Sequence, residues 1–280
     1  MVVVLLASAW SSAATAAEVV LVGAGDIASC GSSGDRQTAS LVQGIPGTVF
    51  TAGDNAYEDG TATQFADCYQ PTWGAFRDRT RPSPGNHDYH VPSAAGYFGY
   101  FGSRAGNPSR GYYAYNLGDW RIYALNSNCS QIGGCGWDSP QTHWLRSDLA
   151  AHPHRCVLAY WHHPLFSSGP HGDQSQVRPL WRALYRARAE VVINGHDHLY
   201  ERFRRQSPSG EATSAGIQEF VVGTGGRGHY AFETIKANSR SRNASTYGVL
   251  KLTLRRGEYS WRFVPVAGKT FTDGGTRSCH

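Results

Sequence analysis

The sequence predicts an α/β protein, and three observations support this fold class. Short runs of apolar and β-branched residues recur along the chain, as expected for strands that are buried on both faces. Segments with helical spacing of apolar residues lie between several of these runs. Most of the runs end in glycine-containing turns that carry polar side chains, and an open α/β sheet binds its ligands at such strand ends.

Composition and charge limit the function classes. The length of 280 residues and the hydrophobic content of 40% suit one large domain, which we expect to span residues 18–280 because no repeat or linker divides it. The net charge of +5 suits an anionic small-molecule substrate. The chain lacks a dense basic run with interleaved aromatic residues, so a nucleic-acid-binding domain is not indicated.

The first 17 residues predict a secretory signal peptide. They form an apolar stretch that ends in small residues just before Glu18, although the basic segment that opens such peptides is missing. The mature protein would then be extracellular or periplasmic. The alternative is a buried strand over Val2–Leu6, which is less favoured because the Ala/Ser run after it would pack poorly. No other apolar stretch is long enough to span a bilayer.

The cysteines indicate an oxidising compartment and structural disulfides. There are six, an even number, and no CxxC pair suggests a zinc ribbon. Spacing alone leaves several pairings open. Our hypothesis pairs Cys129 with Cys135, Cys30 with Cys68, and Cys156 with Cys279.

The first half of the chain predicts three strands and two helices. In order, these are a strand over Glu18–Gly25, a helix over Asp35–Gln43, a strand over Thr48–Phe50, a helix over Thr61–Tyr69 and a strand over Thr80–Pro84. The stretch His90–Ser109 is rich in Gly, Pro, Tyr and Phe. We expect it to be a long surface loop at the rim of the site.

The second half predicts further strands separated by helices. In order, these are a hairpin over Gly111–Gly118 and Asp119–Asn126, a helix that begins at Ser139-Pro140, a strand over Cys156–Trp161, a helix near Val177–Leu184, and strands over Glu190–Ile193 and Gln218–Val222. Thr246–Leu254 and Glu258–Pro265 alternate in polarity. They predict two antiparallel strands of a second sheet.

Five predicted strands end in side chains that can bind metals. These are Asp26; Asp54 with Tyr57; Asn86 with His87; His162 with His163; and His196 with His198. Each group alone has a simpler explanation as a turn or packing residue. Because the groups recur at successive strand ends, we expect them at one edge of one sheet. Oxygen and imidazole donors without thiolates favour iron, zinc or manganese, and the Asp54 carboxylate has two oxygens with which to bridge two cations.

The order of these motifs resembles that of the calcineurin-like metallophosphoesterases. It reads GD, GDNxY, GNHD, H and GHDH, from about Asp26 to Gly226. Tyr57 makes the chain most similar to the purple acid phosphatase branch. The resemblance implies a four-layer α/β/β/α sandwich with two central mixed β-sheets. It also implies a short, single-domain form without the N-terminal β-domain of the large plant enzymes.

The resemblance implies a role for each candidate side chain. Asp26, Tyr57 and His198 would bind the first metal, Asn86, His162 and His196 would bind the second, and Asp54 would bridge the two. The metals would be iron paired with iron, zinc or manganese. His87 would be the catalytic histidine near the leaving group, and His163 and His229 would lie beside the substrate.

The implied function is that of a secreted phosphatase. It would hydrolyse small phosphomonoesters by in-line attack of a metal-bound hydroxide. One alternative is a phosphodiesterase that acts on nucleotide or phospholipid diesters with the same centre. A remoter alternative is a non-catalytic, metal-dependent binding protein, which the presence of every candidate ligand and of His87 disfavours.

Two positions depart from the family pattern. Ala28 stands where the wider superfamily has histidine, and Tyr57 would fill the coordination position that this histidine leaves. Asp88 stands where many purple acid phosphatases have glutamate. We expect the second departure to bear on substrate preference.

Overall fold

The structure is a computed structural model that describes residues 18–153 and 156–280. The predicted signal peptide over residues 1–17 therefore lies outside the described residues. Two mixed β-sheets form the centre of the molecule. Their strands are β1 Val19–Ala24, β2 Thr48–Ala52, β3 Thr80–Ser83, β4 Tyr113–Leu117, β5 Trp120–Ala124, β6 Cys156–Tyr160, β7 Val191–Asn194, β8 Tyr200–Phe203, β9 Gln218–Val222, β10 Ser239–Asn243, β11 Gly248–Arg255, β12 Glu258–Pro265 and β13 Gly274–Ser278.

The first sheet has six strands in the order β13-β12-β11-β1-β2-β3. Strands β1, β2 and β3 are parallel, and β11, β12 and β13 run antiparallel to their neighbours. The prediction that Thr246–Leu254 and Glu258–Pro265 belong to a second sheet is wrong, because β11 pairs directly with β1. Alternating polarity indicates a strand, but it does not specify which distant strand becomes its partner.

The second sheet has seven strands in the order β10-β8-β9-β7-β6-β5-β4. Strands β5, β6, β7 and β9 are parallel, and β4, β8 and β10 are antiparallel. The predicted hairpin is confirmed as β4 and β5, which are joined through Gly118 and Asp119. Strands β8, β10 and β13 have no counterpart in the sequence prediction.

Helices cover the outer face of each sheet. The described α-helices are α1 Gly34–Gln43, α2 Ala62–Gln64 with a π-helical continuation over Phe65–Tyr69, α3 Ala95–Phe101, α4 Pro140–Ala151 and α5 Arg178–Arg186, and short 3-10 helices lie between several of these elements. The side chains of β6 show how the layers pack. Leu158 and Tyr160 point to the core between the sheets, and Val157 and Ala159 belong to the core beneath α4 and α5. The α/β/β/α sandwich implied by the motif resemblance is therefore confirmed.

The expectation of a surface loop over His90–Ser109 is wrong. The segment contains α3, and Tyr97, Phe98 and Phe101 are buried in the main core. Gly96 allows this packing, since a Cβ atom there would lie 2.0 Å from the carbonyl oxygen of Gly60. Burying three aromatic side chains stabilises the fold more than exposing them, so the aromatic content of this stretch indicates packing.

The three hypothesised disulfides are confirmed. Cys30–Cys68 links the loop after β1 to the helical turn after α2, Cys129–Cys135 closes a short loop, and Cys156–Cys279 joins the start of β6 to the C-terminal segment. Across the described residues, no helix combines the length and apolar character needed to cross a membrane.

Candidate metal centre

The loops that follow five parallel strands converge at one end of the sandwich. The loops after β1, β2 and β3 come from the first sheet, and those after β6 and β7 come from the second. The prediction of one edge on one sheet is therefore wrong, because two sheets contribute.

The sheets approach closely here: the amide of Gly25 donates to the carbonyl of Val222 at 2.9 Å, and a Cβ atom on Gly53 would lie 2.5 Å from His162 Nδ1. Glycine is thus required at position 53 for two reasons: its φ of +81° is unfavourable for other residues, and a side chain would collide with His162.

The first group of side chains at this end contains Asp26, Tyr57 and His198. The Tyr57 hydroxyl lies 2.8 Å from Asp26 Oδ1 and 3.2 Å from His198 Nε2. His198 Nε2 is in turn 3.4 Å from Asp26 Oδ1. All three side chains are buried, so three potential ligand atoms lie close together and shielded from bulk water.

The second group contains His162, His196 and Asn86. His162 Nε2 lies 3.2 Å from His196 Nδ1. Asn86 Oδ1 is buried and has no hydrogen-bond partner among the described residues. An amide oxygen without a partner is costly in a folded protein unless something else satisfies it, and a bound cation would do so.

Asp54 lies between the two groups. Its Oδ2 atom is 3.0 Å from the Tyr57 hydroxyl of the first group and 3.2 Å from His162 Nε2 of the second. Its Oδ1 atom accepts a hydrogen bond of 2.9 Å from the backbone amide of His87. The His87 imidazole lies at the open side of the cluster, with Nε2 3.9 Å from Asp54 Oδ2.

Backbone carbonyls orient two of the imidazoles. His162 Nδ1 lies 2.9 Å from the carbonyl of Ala52, and His198 Nδ1 lies 2.7 Å from the carbonyl of Gly228. A carbonyl only accepts, so each Nδ1 carries a proton, and in its neutral form each ring would present the Nε2 lone pair toward the centre. Protein metal sites commonly fix histidine ligands in this way.

The electrostatics of the cluster match a cation site. Burial alone would raise the pKa of Asp54, but the adjacent His162 imidazole holds it well below its usual range. Burial opposes protonation of His162, yet the Asp54 carboxylate raises its pKa to about 9. Burial and then the Asp26 and Asp54 carboxylates raise the pKa of Tyr57 well above its ordinary value. A phenolate at Tyr57 therefore requires a nearby positive charge, and a bound cation supplies one.

Comparison with known proteins identifies the family. Residues 15–200 match the family model described as calcineurin-like phosphoesterase. The chain belongs to this family. Each strand-end group described above falls within the matched residues, so the calcineurin-like phosphoesterase signature and the buried cluster coincide.

The curated relatives of this calcineurin-like phosphoesterase include plant purple acid phosphatases. Purple acid phosphatase 15 of Arabidopsis thaliana is 26% identical over 223 residues, which cover 66% of this chain and 41% of that protein. Probable purple acid phosphatase 20 of the same plant is 28% identical over 167 residues, which cover 50% of this chain and 38% of the relative. The chain thus spans about two fifths of the length of the curated relatives it matches.

Solved structures show the same fold at low identity. A purple acid phosphatase from yellow lupin (Lupinus luteus) seeds superposes with a TM-score of 0.73 and 16% identity, covering 94% of this chain and 54% of that one. GAP50, described as the anchor in the inner membrane complex of Plasmodium, superposes with a TM-score of 0.68 and 13% identity, covering 94% and 88%. At these identities the likeness concerns the fold alone.

The structure places the two predicted substrate histidines differently. The buried His163 ring lies 4.4 Å from the His196 ring, and Ser127 Oγ lies 2.7 Å from its Nδ1. The His229 ring instead packs 4.3 Å from Tyr247 and has no hydrogen bond to any of the described metal-centre residues. A substrate contact by His229 stays a prediction.

Two aromatic side chains at the centre were missed by the sequence reasoning. The exposed His171 ring stacks 4.2 Å from His196, and the Tyr230 ring stacks 4.0 Å from His198. His171 lies in a Gly/Ser-rich loop, where a lone histidine gives no periodic signal. Its only sequence cue is the Gly-Pro turn that precedes it.

Asp88, expected to bear on substrate preference, is fully buried. It accepts hydrogen bonds of 2.9 Å from Asn55 Nδ2 and 2.9 Å from the Gly85 amide, so it ties the loop after β2 to the loop after β3. Burial, reinforced by the Asp54 charge, raises the pKa of Asp88 to about 7. Any influence on substrates would therefore act through the position of these loops.

Proposed function

We propose that this chain is a secreted binuclear-metal phosphatase that hydrolyses phosphomonoesters. The observation that carries the proposal is the position of Asp54, whose Oδ2 atom contacts both Tyr57 of the first group and His162 of the second. A carboxylate held between two sets of donors supports a bridging role between two cations. Three disulfides and an apolar leader are compatible with secretion.

The donor set fits two metal ions, as family membership implies. Asp26, Tyr57 and His198 would hold one, Asn86, His162 and His196 the other, and Asp54 would bridge them. The phenol favours iron at the first position, paired with iron, zinc or manganese at the second. When bound, such a pair lowers the pKa of water and neutralises charge on the phosphoryl oxygens.

The remaining residues supply proton transfer and orientation. The Nδ1 atom of His87 lies 2.5 Å from the carbonyl of Glu58, which places the proton on Nδ1 and leaves Nε2 directed toward the open side. There His87 would exchange a proton with the leaving oxygen. Ser127 Oγ accepts from the His163 amide at 3.0 Å and lies 2.7 Å from His163 Nδ1. In the tautomer in which the Ser127 hydroxyl donates to Nδ1, His163 carries its proton on Nε2, where it would bind a phosphoryl oxygen. No covalent enzyme intermediate is needed.

The binding-protein alternative is disfavoured by the same geometry. GAP50 is described as an anchor, so this fold is also found in a protein with that description. In this chain, however, six of the candidate ligands form one chain of side-chain contacts, His87 is tied to Asp54, and Asn86 directly precedes His87. Tyr57 and the partnerless oxygen of Asn86 have no evident role in an anchor.

The test is a comparison of kcat/KM for an aryl phosphomonoester and for the matching diester. It uses one preparation of known metal content, with Asp54→Asn as the background and the exposed Asp119→Asn as a matched control. A strong monoester preference in the wild type and the control, absent in Asp54→Asn, is the expected result. A diester preference would support the phosphodiesterase alternative. Turnover of neither ester with both metals bound would overturn the proposal in favour of a binding protein.

A further inference from the structure

Arg227 packs against the aromatic face of Tyr57. It belongs to the glycine-rich turn after β9, and its amide donates to the carbonyl of Asp26 at 2.9 Å. Its guanidinium carbon lies 4.9 Å from the centre of the Tyr57 ring. This distance is within the range of a cation–π interaction.

Glu58 holds the guanidinium in this position. Arg227 Nη1 lies 2.6 Å from Glu58 Oε1 and 3.3 Å from Ser29 Oγ. Glu58 directly follows Tyr57 in the sequence. The carboxylate that holds the Arg227 guanidinium is therefore attached to the same backbone segment as the Tyr57 ring that the guanidinium covers. Ser29 lies three residues after Asp26, so the guanidinium also contacts the loop that carries another member of the first group.

We propose that Arg227, held by Glu58, tunes the electron donation of Tyr57 to its metal. The inference rests on the proposed function, because it requires Tyr57 to be an iron ligand. Arg227 is a positioning residue in this account, since among the described residues its guanidinium contacts the Tyr57 ring, Glu58 and Ser29 and none of the candidate metal-binding atoms. No family motif described above assigns a role to this arginine.

The tuning would act on the energy of the ring electrons. A positive charge over an aromatic face stabilises the π electrons, and stabilises those of a phenolate more than those of a phenol. The phenolate then becomes a weaker donor, and transfer of an electron from phenolate to ferric iron requires light of higher energy. The Glu58 carboxylate opposes this effect by partly neutralising the guanidinium.

Replacing Arg227 and replacing Glu58 should shift the charge-transfer band in opposite directions. Arg227→Met removes the cation, so the charge-transfer band of the iron-loaded protein should move to longer wavelength. Glu58→Gln keeps a hydrogen-bond acceptor but removes the opposing charge, so the band should move to shorter wavelength. Arg227→Lys retains a positive charge without the planar group, and its band should lie between those of the wild type and Arg227→Met.

The reduction potential gives a second readout. A stronger phenolate donor stabilises ferric iron, so Arg227→Met should lower the midpoint potential for one-electron reduction by dithionite, and Glu58→Gln should raise it. A matched control is Arg104→Met, because Arg104 also pairs with a carboxylate, that of Asp78 at 2.8 Å, but it lies beyond α3 in the chain. This control should change neither quantity.

The outcomes separate this inference from the function on which it rests. A band that disappears in Tyr57→Phe but does not move in Arg227→Met would overturn the tuning role and leave the ligand assignment intact. Shifts of the same sign in Arg227→Met and Glu58→Gln would show that the ion pair only ties two loops together, which also overturns it. A band that survives in Tyr57→Phe, or no band at all in iron-loaded protein, would overturn the tuning role together with the assignment of Tyr57 as an iron ligand, whereas the proposed phosphatase activity stands or falls by the kcat/KM comparison above.

Discussion

Two sets of buried carboxylates lie close to each other in this molecule, and they are satisfied in different ways. Asp26 and Asp54 form part of the candidate metal centre. A second set contacts the loop that connects β6 to α5, and we term its members the loop-holding carboxylates: Asp197, Glu201 and Glu219. All five are buried. Burial and acidity alone therefore do not distinguish a metal ligand from a structural residue.

The loop-holding carboxylates accept hydrogen bonds from consecutive parts of one backbone segment. Glu219 Oε1 accepts from the amides of Leu165 at 3.1 Å and Phe166 at 3.3 Å. Glu201 Oε2 accepts from the Ser168 amide at 2.9 Å, and Asp197 Oδ1 accepts from the His171 amide at 3.1 Å. These acids fix the loop that places His171 over His196.

In the candidate metal centre, each carboxylate also accepts a backbone amide through one oxygen, but its other oxygen has different neighbours. Asp54 Oδ1 accepts from the His87 amide and Asp26 Oδ2 accepts from the His196 amide, each at 2.9 Å. The other oxygen of each faces the Tyr57 hydroxyl and an imidazole. The second oxygens of Asp197 and Glu201 instead accept from serine hydroxyls. A second oxygen that faces a phenol and an imidazole, both of which can bind metals, is therefore the feature that separates the candidate metal centre from the loop-holding carboxylates.

The largest expected effect is that of Asp54→Asn. An amide cannot bridge two cations as a carboxylate does, so we expect loss of the two-metal centre and a decrease in kcat of at least about 10³-fold. Metal content by mass spectrometry and turnover of an aryl phosphomonoester measure the two parts. An Asp54→Asn protein with two tightly bound metals and normal activity would contradict the assignment.

Asn86→Ala should weaken metal binding and leave folding nearly unchanged. Asn86 Oδ1 makes no hydrogen bond within the described residues, so its removal should alter the unfolding free energy of metal-free protein by less than about 1 kcal/mol. Affinity for the second metal should decrease by at least roughly tenfold. Competitive metal titration and urea unfolding measure these quantities. A large loss of stability with unchanged metal affinity would place Asn86 with the structural residues.

The sequence predicts the parts of the centre that depend on local order. Thr48–Phe50, Gly53 and Asp54 form a strand, a turn and a polar side chain in succession, and each step follows from neighbouring residues. The division of the strands between two sheets could not be predicted, because the pairing of β11 with β1 joins residues more than two hundred positions apart. A lone histidine such as His171 is likewise positioned by remote contacts, here with Asp197.

Glu201→Gln should lower the stability of the fold and leave metal binding unchanged, which is the reverse of the effect expected for Asn86→Ala. Glu201 accepts from the Ser168 amide, from the Ser168 hydroxyl at 2.6 Å and from the Ser239 hydroxyl. Glutamine offers one acceptor in place of two, so we expect a loss of about 1–3 kcal/mol in unfolding free energy. Metal content should stay at the wild-type value. The exposed Glu233→Gln serves as the control, and loss of metal in Glu201→Gln without loss of stability would remove the distinction between the two sets.

The smallest expected effect is a change in how stability depends on pH. Burial raises the pKa of Glu219 well above its ordinary value of 4.5, and the nearby Glu201 and Asp173 charges raise it further. In the candidate metal centre, by contrast, the imidazoles beside Asp54 lower the pKa of Asp54. The folded protein therefore holds a proton on Glu219 that the unfolded chain releases. The resulting stability is complete below pH 4.5 and is lost as pH rises through the folded-state pKa, by at most about 1.4 kcal/mol per pH unit.

Glu219→Gln cannot titrate, so its unfolding free energy, measured by urea titration of metal-free protein, should decline less steeply with pH than that of the wild type. Parallel pH profiles would show that Glu219 is ionised in the folded protein, and the two sets of acids would then differ only in their hydrogen-bond donors.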